Sequence, residues 1–275
     1  MIVATRAPVA AVIRRGMGGW SHVCRWDLTT GALEHGAWLR GTLYPRRCDL
    51  SPDGMLLYYF ALKSTSRKLM GNTGVLTYSV VSKLPWLFAL AAWPELGTWT
   101  RGYHFVEGRT GHRAWDIGDP KLGDAAPLRA RYGLARTLPL QYAVEQRRGW
   151  VPHESCPPRG VNDVWDERRS VILMKPRPGK KAKSRLVLTD GGWEGSGAIE
   201  GRTPAYQFES GRHRIDLEDV RWADWDHDGR LLVATRTGKL QILDVDADAL
   251  PVLREHALDT LIPSPEPAPA WAQRW

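Results

Sequence analysis

The chain has 275 residues, 43% of them apolar and 25% charged, with a net charge of +8. That balance excludes wholesale disorder, and Arg6, Arg14 and Arg15 interrupt the mildly apolar start too often for a signal-peptide core. No stretch approaches the roughly 20 apolar residues of a membrane-spanning helix. Three cysteines at irregular spacing imply no disulfide framework, so the expected setting is a reducing cytoplasm with no membrane contact.

Helical periodicity is scarce, and the 14 Trp, 27 Gly and 19 Pro favour short strands joined by tight turns. In chain order, Val9–Arg15 reads as a strand, and 22–33 (HVCRWDLTTGAL) as another that ends in a Thr30-Gly31 turn. Residues 48–63 (CDLSPDGMLLYYFALK) place an Asp53-Gly54 turn before an apolar strand. Residues 162–189 repeat strand, loop, strand with a longer loop. The clearest unit is 220–246. It holds an approach strand ending near Trp225, an Asp228-Gly229 turn, a strand over 230–235, a turn at Thr237-Gly238, and a strand over 239–245.

These residues resemble the WD40 and related propeller repeats. Ser51-Pro52-Asp53-Gly54 matches the turn that opens such a repeat, and Trp26-Asp27 with Thr30-Gly31 matches its close. Residues 226–246 match nearly a whole unit, with Leu243-Asp244 standing where Trp-Asp would be. The resemblance covers about half the chain and is faint from 100 to 160. Strand starts near 9, 54, 86, 170 and 230, with one further unit in the widest gap, average about 44 residues, the WD40 repeat length. The expectation is therefore an all-β β-propeller of about six four-stranded blades, five or seven being the neighbouring solutions, over residues 1–261. Residues 262–275 (IPSPEPAPAWAQRW) lack periodicity and read as an extended or disordered Pro/Ala-rich tail.

Motifs for catalysis and cofactors are missing: there is no phosphate-binding loop, no completed dinucleotide fingerprint and no nucleophile elbow. The eight histidines read as scattered, none placed with another or with a cysteine at metal-ligand spacing. Asp224, Asp226, Asp228 and Gly229 reproduce the first half of a calcium loop, but Thr235 stands where its bidentate Glu belongs. No metal or cofactor is assigned. The seven carboxylates between Glu209 and Asp228 crowd one unit, whereas a propeller glycan hydrolase draws its acids from several blades.

The basicity is local. Eight Lys or Arg and no acid lie between Arg168 and Arg185, and the rest of the chain balances 30 bases against 30 acids. Within that window Lys175, Arg177, Lys180, Lys181, Lys183 and Arg185 form an expected exposed loop at 175–185. Clustered cations of that kind attach to polyanions by releasing counterions, with a slope of log K against log salt of about −4 to −5 for five or six contacts. The leading expectation is a non-catalytic scaffold that binds another protein. Sequence-independent nucleic-acid association through the basic loop stands second, and a glycan-hydrolysing propeller third.

Overall fold

The computed structural model describes residues 1–62, 77–98, 102–107, 114–137, 142–155, 170–179, 184–191, 204–247 and 249–275. The protein is all-β, with 49% strand and 9% helix among the described residues and several antiparallel sheets. No described helix is long and apolar enough to cross a membrane. Its contacts divide into two compact units, Met1–Leu138 with Ile262–Trp275, and Pro139–Leu261.

The first unit opens with a four-stranded meander, β1 (Ile2–Val3), β2 (Val9–Arg15), β3 (Trp20–Asp27) and β4 (Leu33–Arg40), hydrogen-bonded in chain order. The β3–β4 turn is built from the residues singled out in the sequence. Asp27 Oδ1 accepts the backbone N–H groups of Thr29 at 3.1 Å and Thr30 at 2.9 Å, and the buried Trp26 donates its indole N–H to the Gly31 carbonyl. An Asp side chain mimics a backbone turn in this way because its carboxylate reaches amides two and three residues on.

A second sheet follows from β5 (Thr42–Leu43), β6 (Asp49–Leu50), β7 (Leu56–Leu62), β8 (Thr77–Lys83) and β9 (Ala91–Glu95). Next, β10 (Tyr103–Val106) lies before β11 (Leu122–Gly123), which joins the second sheet beside β9. After α1 (Ala126–Arg131), β12 (Gly133–Arg136) returns to pair with β10. The apolar β7 is buried on both faces. Leu57, Tyr59 and Ala61 enter one core with Ile2, Val23 and Val80, while Leu56 and Tyr58 enter another with Val81, Trp93 and Leu128. Side chains of a strand alternate between faces, so a continuous apolar run serves two cores. The turn before β7 is the Ser-Pro-Asp-Gly segment. Ser51 Oγ donates to Asp53 Oδ1 at 2.6 Å and accepts the N–H of Leu56 at 2.8 Å.

Two sequence expectations change in this unit. The strand start placed near 86 falls in the connection from β8 to β9, because residues 84–90 form turns and extended chain. Residues 262–275 do not stand apart as a tail after a 1–261 domain. Ala272 is fully buried, Trp275 packs against the cluster that holds Tyr58 and Trp93, and Lys83 Nζ donates to the Trp271 carbonyl at 3.0 Å. The apolar residues among the prolines supply the anchor.

The second unit contains α2 (Ala143–Arg147) and a five-stranded meander of β13 (Val151–Pro152), β14 (Val171–Pro176), β15 (Ser184–Asp190), β16 (Ala205–Ser210) and β17 (His213–Asp216). A four-stranded meander follows: β18 (Val220–Trp225), β19 (Leu231–Thr235), β20 (Lys239–Leu243) and β21 (Val252–Ala257). The strands read from 220–246 are present, with the last ending at Leu243. Leu173, Leu186, Leu188, Phe208, Trp225, Leu231 and Val233 share one core. The edge strand β21 is exposed along nearly its whole length.

Candidate functional site

The described cations of the basic segment, Lys175, Arg177 and Arg185, are each ion-paired. Lys175 lies on β14 and Arg185 on β15, so the connection between the strands is shorter than 175–185. Lys175 Nζ donates to Asp224 Oδ1 at 2.5 Å, with the two side chains only 16% and 5% exposed. Arg177 donates from Nε to the Gly229 carbonyl at 2.7 Å and grips Asp246 with both terminal nitrogens. Asp246 holds the Arg177 guanidinium above its ordinary range, and Arg177 in turn lowers the Asp246 carboxyl. Arg185 Nε donates to Glu209 Oε2 at 2.6 Å across the β15–β16 pair. Lys180, Lys181 and Lys183 lie outside the described residues. The sequence window contains no acid, but the fold supplies three from β16, β18 and the connection after β20.

Of the six cations expected at 175–185, ion pairing engages Lys175, Arg177 and Arg185 and leaves three lysines to meet a polyanion. A salt titration with labelled duplex DNA is therefore expected to give a slope no steeper than about −3, in place of about −5. Changing Lys180, Lys181 and Lys183 together to Ser is expected to remove even that. A slope near −5 would show that the ion pairs open for phosphate.

The buried acids of 209–228, Glu209, Asp224 and Asp226, are likewise engaged. Asp226 Oδ1 accepts the N–H groups of Asp228 and Arg230, and its Oδ2 accepts Arg230 Nε at 2.6 Å. Asp224 also accepts the N–H of Trp225, while Asp228 is mostly exposed. The residues of the half calcium loop thus close a turn and anchor two cations.

A cluster that the sequence reading passed over lies in the first unit. His22, Cys24 and His35 bring their ligand atoms within 4.8 Å of one another, which corrects the reading that no histidine stands near another or a cysteine. His22 Nε2 is 3.1 Å from His35 Nδ1, and Cys24 Sγ is 3.7 Å from the same nitrogen. His22 and Cys24 are two apart on β3 and so share a face. His35 reaches that face because β4 bulges: His22 pairs with Trp38 and Cys24 with His35, leaving Gly36 and Ala37 opposite Val23 alone. Without the extra residue His35 and Trp38 would point to opposite faces.

The bulge is fixed by close packing. Ala37 N–H donates to the Pro85 carbonyl at 3.1 Å, and a Cβ on Gly36 would sit 2.2 Å from that same oxygen. His22 is buried beneath the Trp38 ring, with centroids 4.1 Å apart and nearly parallel planes, and its Nδ1 faces the Ala37 carbonyl at 3.2 Å. Because a carbonyl only accepts, Nδ1 carries the proton, which leaves Nε2 as a bare lone pair directed at His35. Burial, chiefly, holds the His22 imidazole down at about 4, with His35 and Arg14 adding to the effect against the Ala37 bond. Burial also pushes the Cys24 thiol up to about 12. Cys24 is fully buried and His35 exposed, so the cluster opens to solvent on the His35 side. The signal available in sequence was His22-x-Cys24, the spacing that puts two ligands on one strand face.

No family model matches the chain, and no curated protein matches it either.

Proposed function

We propose that the chain is a non-catalytic, protein-binding scaffold of the WD40-like propeller kind, with its antiparallel meanders as blades and about six blades in the ring. The observation that carries this reading is the order of the strands. The two four-stranded sheets and the five-stranded sheet each run through their strands in chain sequence, as a blade does. The exposed edge strand β21 fits the outer strand of a blade. The turns closed by Asp27 with Thr30, and by Ser51 with Asp53, are consistent with the repeat reading and lend it support.

Chemistry on the acids is disfavoured. A glycan hydrolase needs two carboxyl groups facing each other across the scissile bond, about 5–9.5 Å apart. Here the buried Glu209, Asp224 and Asp226 are each spent on a cation, Arg185, Lys175 and Arg230 respectively. Nucleic-acid association loses half of its expected cations in the same way.

The test is affinity capture with the tagged full chain from an extract of its source, with nuclease treatment and a high-salt wash. A protein retained in near-equal amount after both is the expected result. Retention that nuclease abolishes would favour the polyanion reading, and no retained protein at all would overturn the scaffold. Negative-stain images checking for a ring with a central channel test the propeller part separately.

A further inference from the structure

We infer that His22, Cys24 and His35 form a binding site for a zinc-class divalent metal ion, held by His22 Nε2, Cys24 Sγ and His35 Nδ1. This goes beyond the scaffold reading and does not depend on it.

The distances carry the inference. Zinc binds imidazole nitrogen at about 2.0–2.1 Å and thiolate sulfur at about 2.3 Å in tetrahedral array. The edges of that tetrahedron are about 3.4 Å between two nitrogens and about 3.6 Å between nitrogen and sulfur. The observed separations are 3.1 Å and 3.7 Å. Two of the three separations therefore already stand near coordination spacing, the third lies within 4.8 Å, and small movements of the rings would admit an ion.

The surroundings are those of a metal ligand. A zinc-bound histidine ordinarily gives its second ring N–H to a carbonyl or carboxylate, which fixes the tautomer and the ring orientation. His22 Nδ1 meets the Ala37 carbonyl in that manner, and Trp38 stacks on the ring. Ala37 sits in the same bulge that turns His35 inward, so one backbone irregularity supplies both the second ligand and the support for the first. Bulges re-aim side chains at functional sites at the expense of ladder hydrogen bonds.

His22 Nε2 and Cys24 Sγ both approach His35 Nδ1. A cation engages all three atoms at once. On binding, the Sγ–H bond of Cys24 breaks, its proton passes to solvent, and the sulfur pair forms the bond to the metal. His35 moves its own proton from Nδ1 to Nε2 on the exposed side. The thiolate offsets the positive charge of Arg14, which is paired across from His22 on β2. Two nitrogens with one thiolate form a borderline-soft set that suits zinc rather than magnesium or calcium. Three protein ligands leave the fourth position to water or to a group from outside.

The experiment titrates Zn²⁺, and Co²⁺ as its coloured substitute, into reduced full-length protein carrying Cys156→Ser, which removes the cysteine outside the described residues. Of the remaining thiols, that of Cys48 is buried and donates to the Tyr44 carbonyl. One equivalent of Co²⁺ is expected to give thiolate-to-cobalt charge-transfer absorption, displaced by Zn²⁺, and saturating Zn²⁺ is expected to raise Tm. His35→Ala removes an exposed ligand without touching the core. It should weaken binding by at least about a hundredfold, the upper end of what even supporting residues contribute, while leaving the metal-free Tm close to that of the parent. Cys24→Ser should abolish the charge-transfer band. No binding at micromolar metal, a band that survives Cys24→Ser, or full affinity in His35→Ala would each overturn the site. Retention of copper with rejection of zinc would overturn the choice of ion.

Discussion

Replacing Lys175 with Met should lower stability to urea unfolding by about 3–5 kcal/mol, the usual result of removing one partner from a buried ion pair. Lys175 reaches Asp224 at 2.5 Å, and the carboxylate is 5% exposed, so water cannot take over from the lost ammonium. The remaining partner in view is the backbone N–H of Trp225 at 2.7 Å, a single hydrogen bond against a full charge. The Trp225 indole would keep its bond to the residue-175 carbonyl, which the substitution spares, so the loss reports the charge rather than the ring's packing. The companion variant Lys175→Met with Asp224→Asn should recover most of the loss, since it removes both charges and keeps the volumes. Two effects that simply add would mean the residues do not interact in solution. A single-variant loss below about 0.5 kcal/mol, the range of ordinary surface changes, would return Lys175 to the pool of exposed cations.

The same residue shows where sequence reading stops. Local chemistry was legible. The Asp-Gly and Thr-Gly turns at 53–54, 30–31 and 228–229 form as read, because the atoms that close them lie within five residues of one another. Partners of the basic segment were not legible, since Asp224 and Asp246 stand 49 and 69 residues from Lys175 and Arg177. An acid-free window in sequence says nothing about which carboxylates a neighbouring strand brings across. The tail is extended over 262–269, as its composition implies, but its end misled. Its Pro/Ala composition describes an unpacked chain, but Ala272 and Trp275 find a ready core. Of the metal cluster, His22 and Cys24 were readable as an alternating pair. His35 was not, because ideal hairpin register puts it and Trp38 on opposite faces, and only the bulge at Gly36 and Ala37 brings them together.

Gly229 tests the turn on which the clearest repeat depends. Its φ is +77°, in the left-handed region, where a β-branched side chain is strained. Gly229→Val should therefore cost about 1–3 kcal/mol, read as a fall in Tm. A second contribution adds to the backbone strain. A Cβ at 229 would lie 2.9 Å from Arg177 Nε, the group that donates to the Gly229 carbonyl. The Val side chain should thus also loosen the Arg177–Asp246 pair. Gly229→Asn separates the two causes, because Asn tolerates the left-handed conformation yet still carries a Cβ. If backbone strain dominates, Asn should recover most of the stability that Val loses. If crowding against Arg177 dominates, Asn and Val should be equally damaging, and Arg177→Ala should relieve both. An unchanged Tm in Gly229→Val would contradict the left-handed turn itself, and with it the match of 226–246 to a propeller repeat.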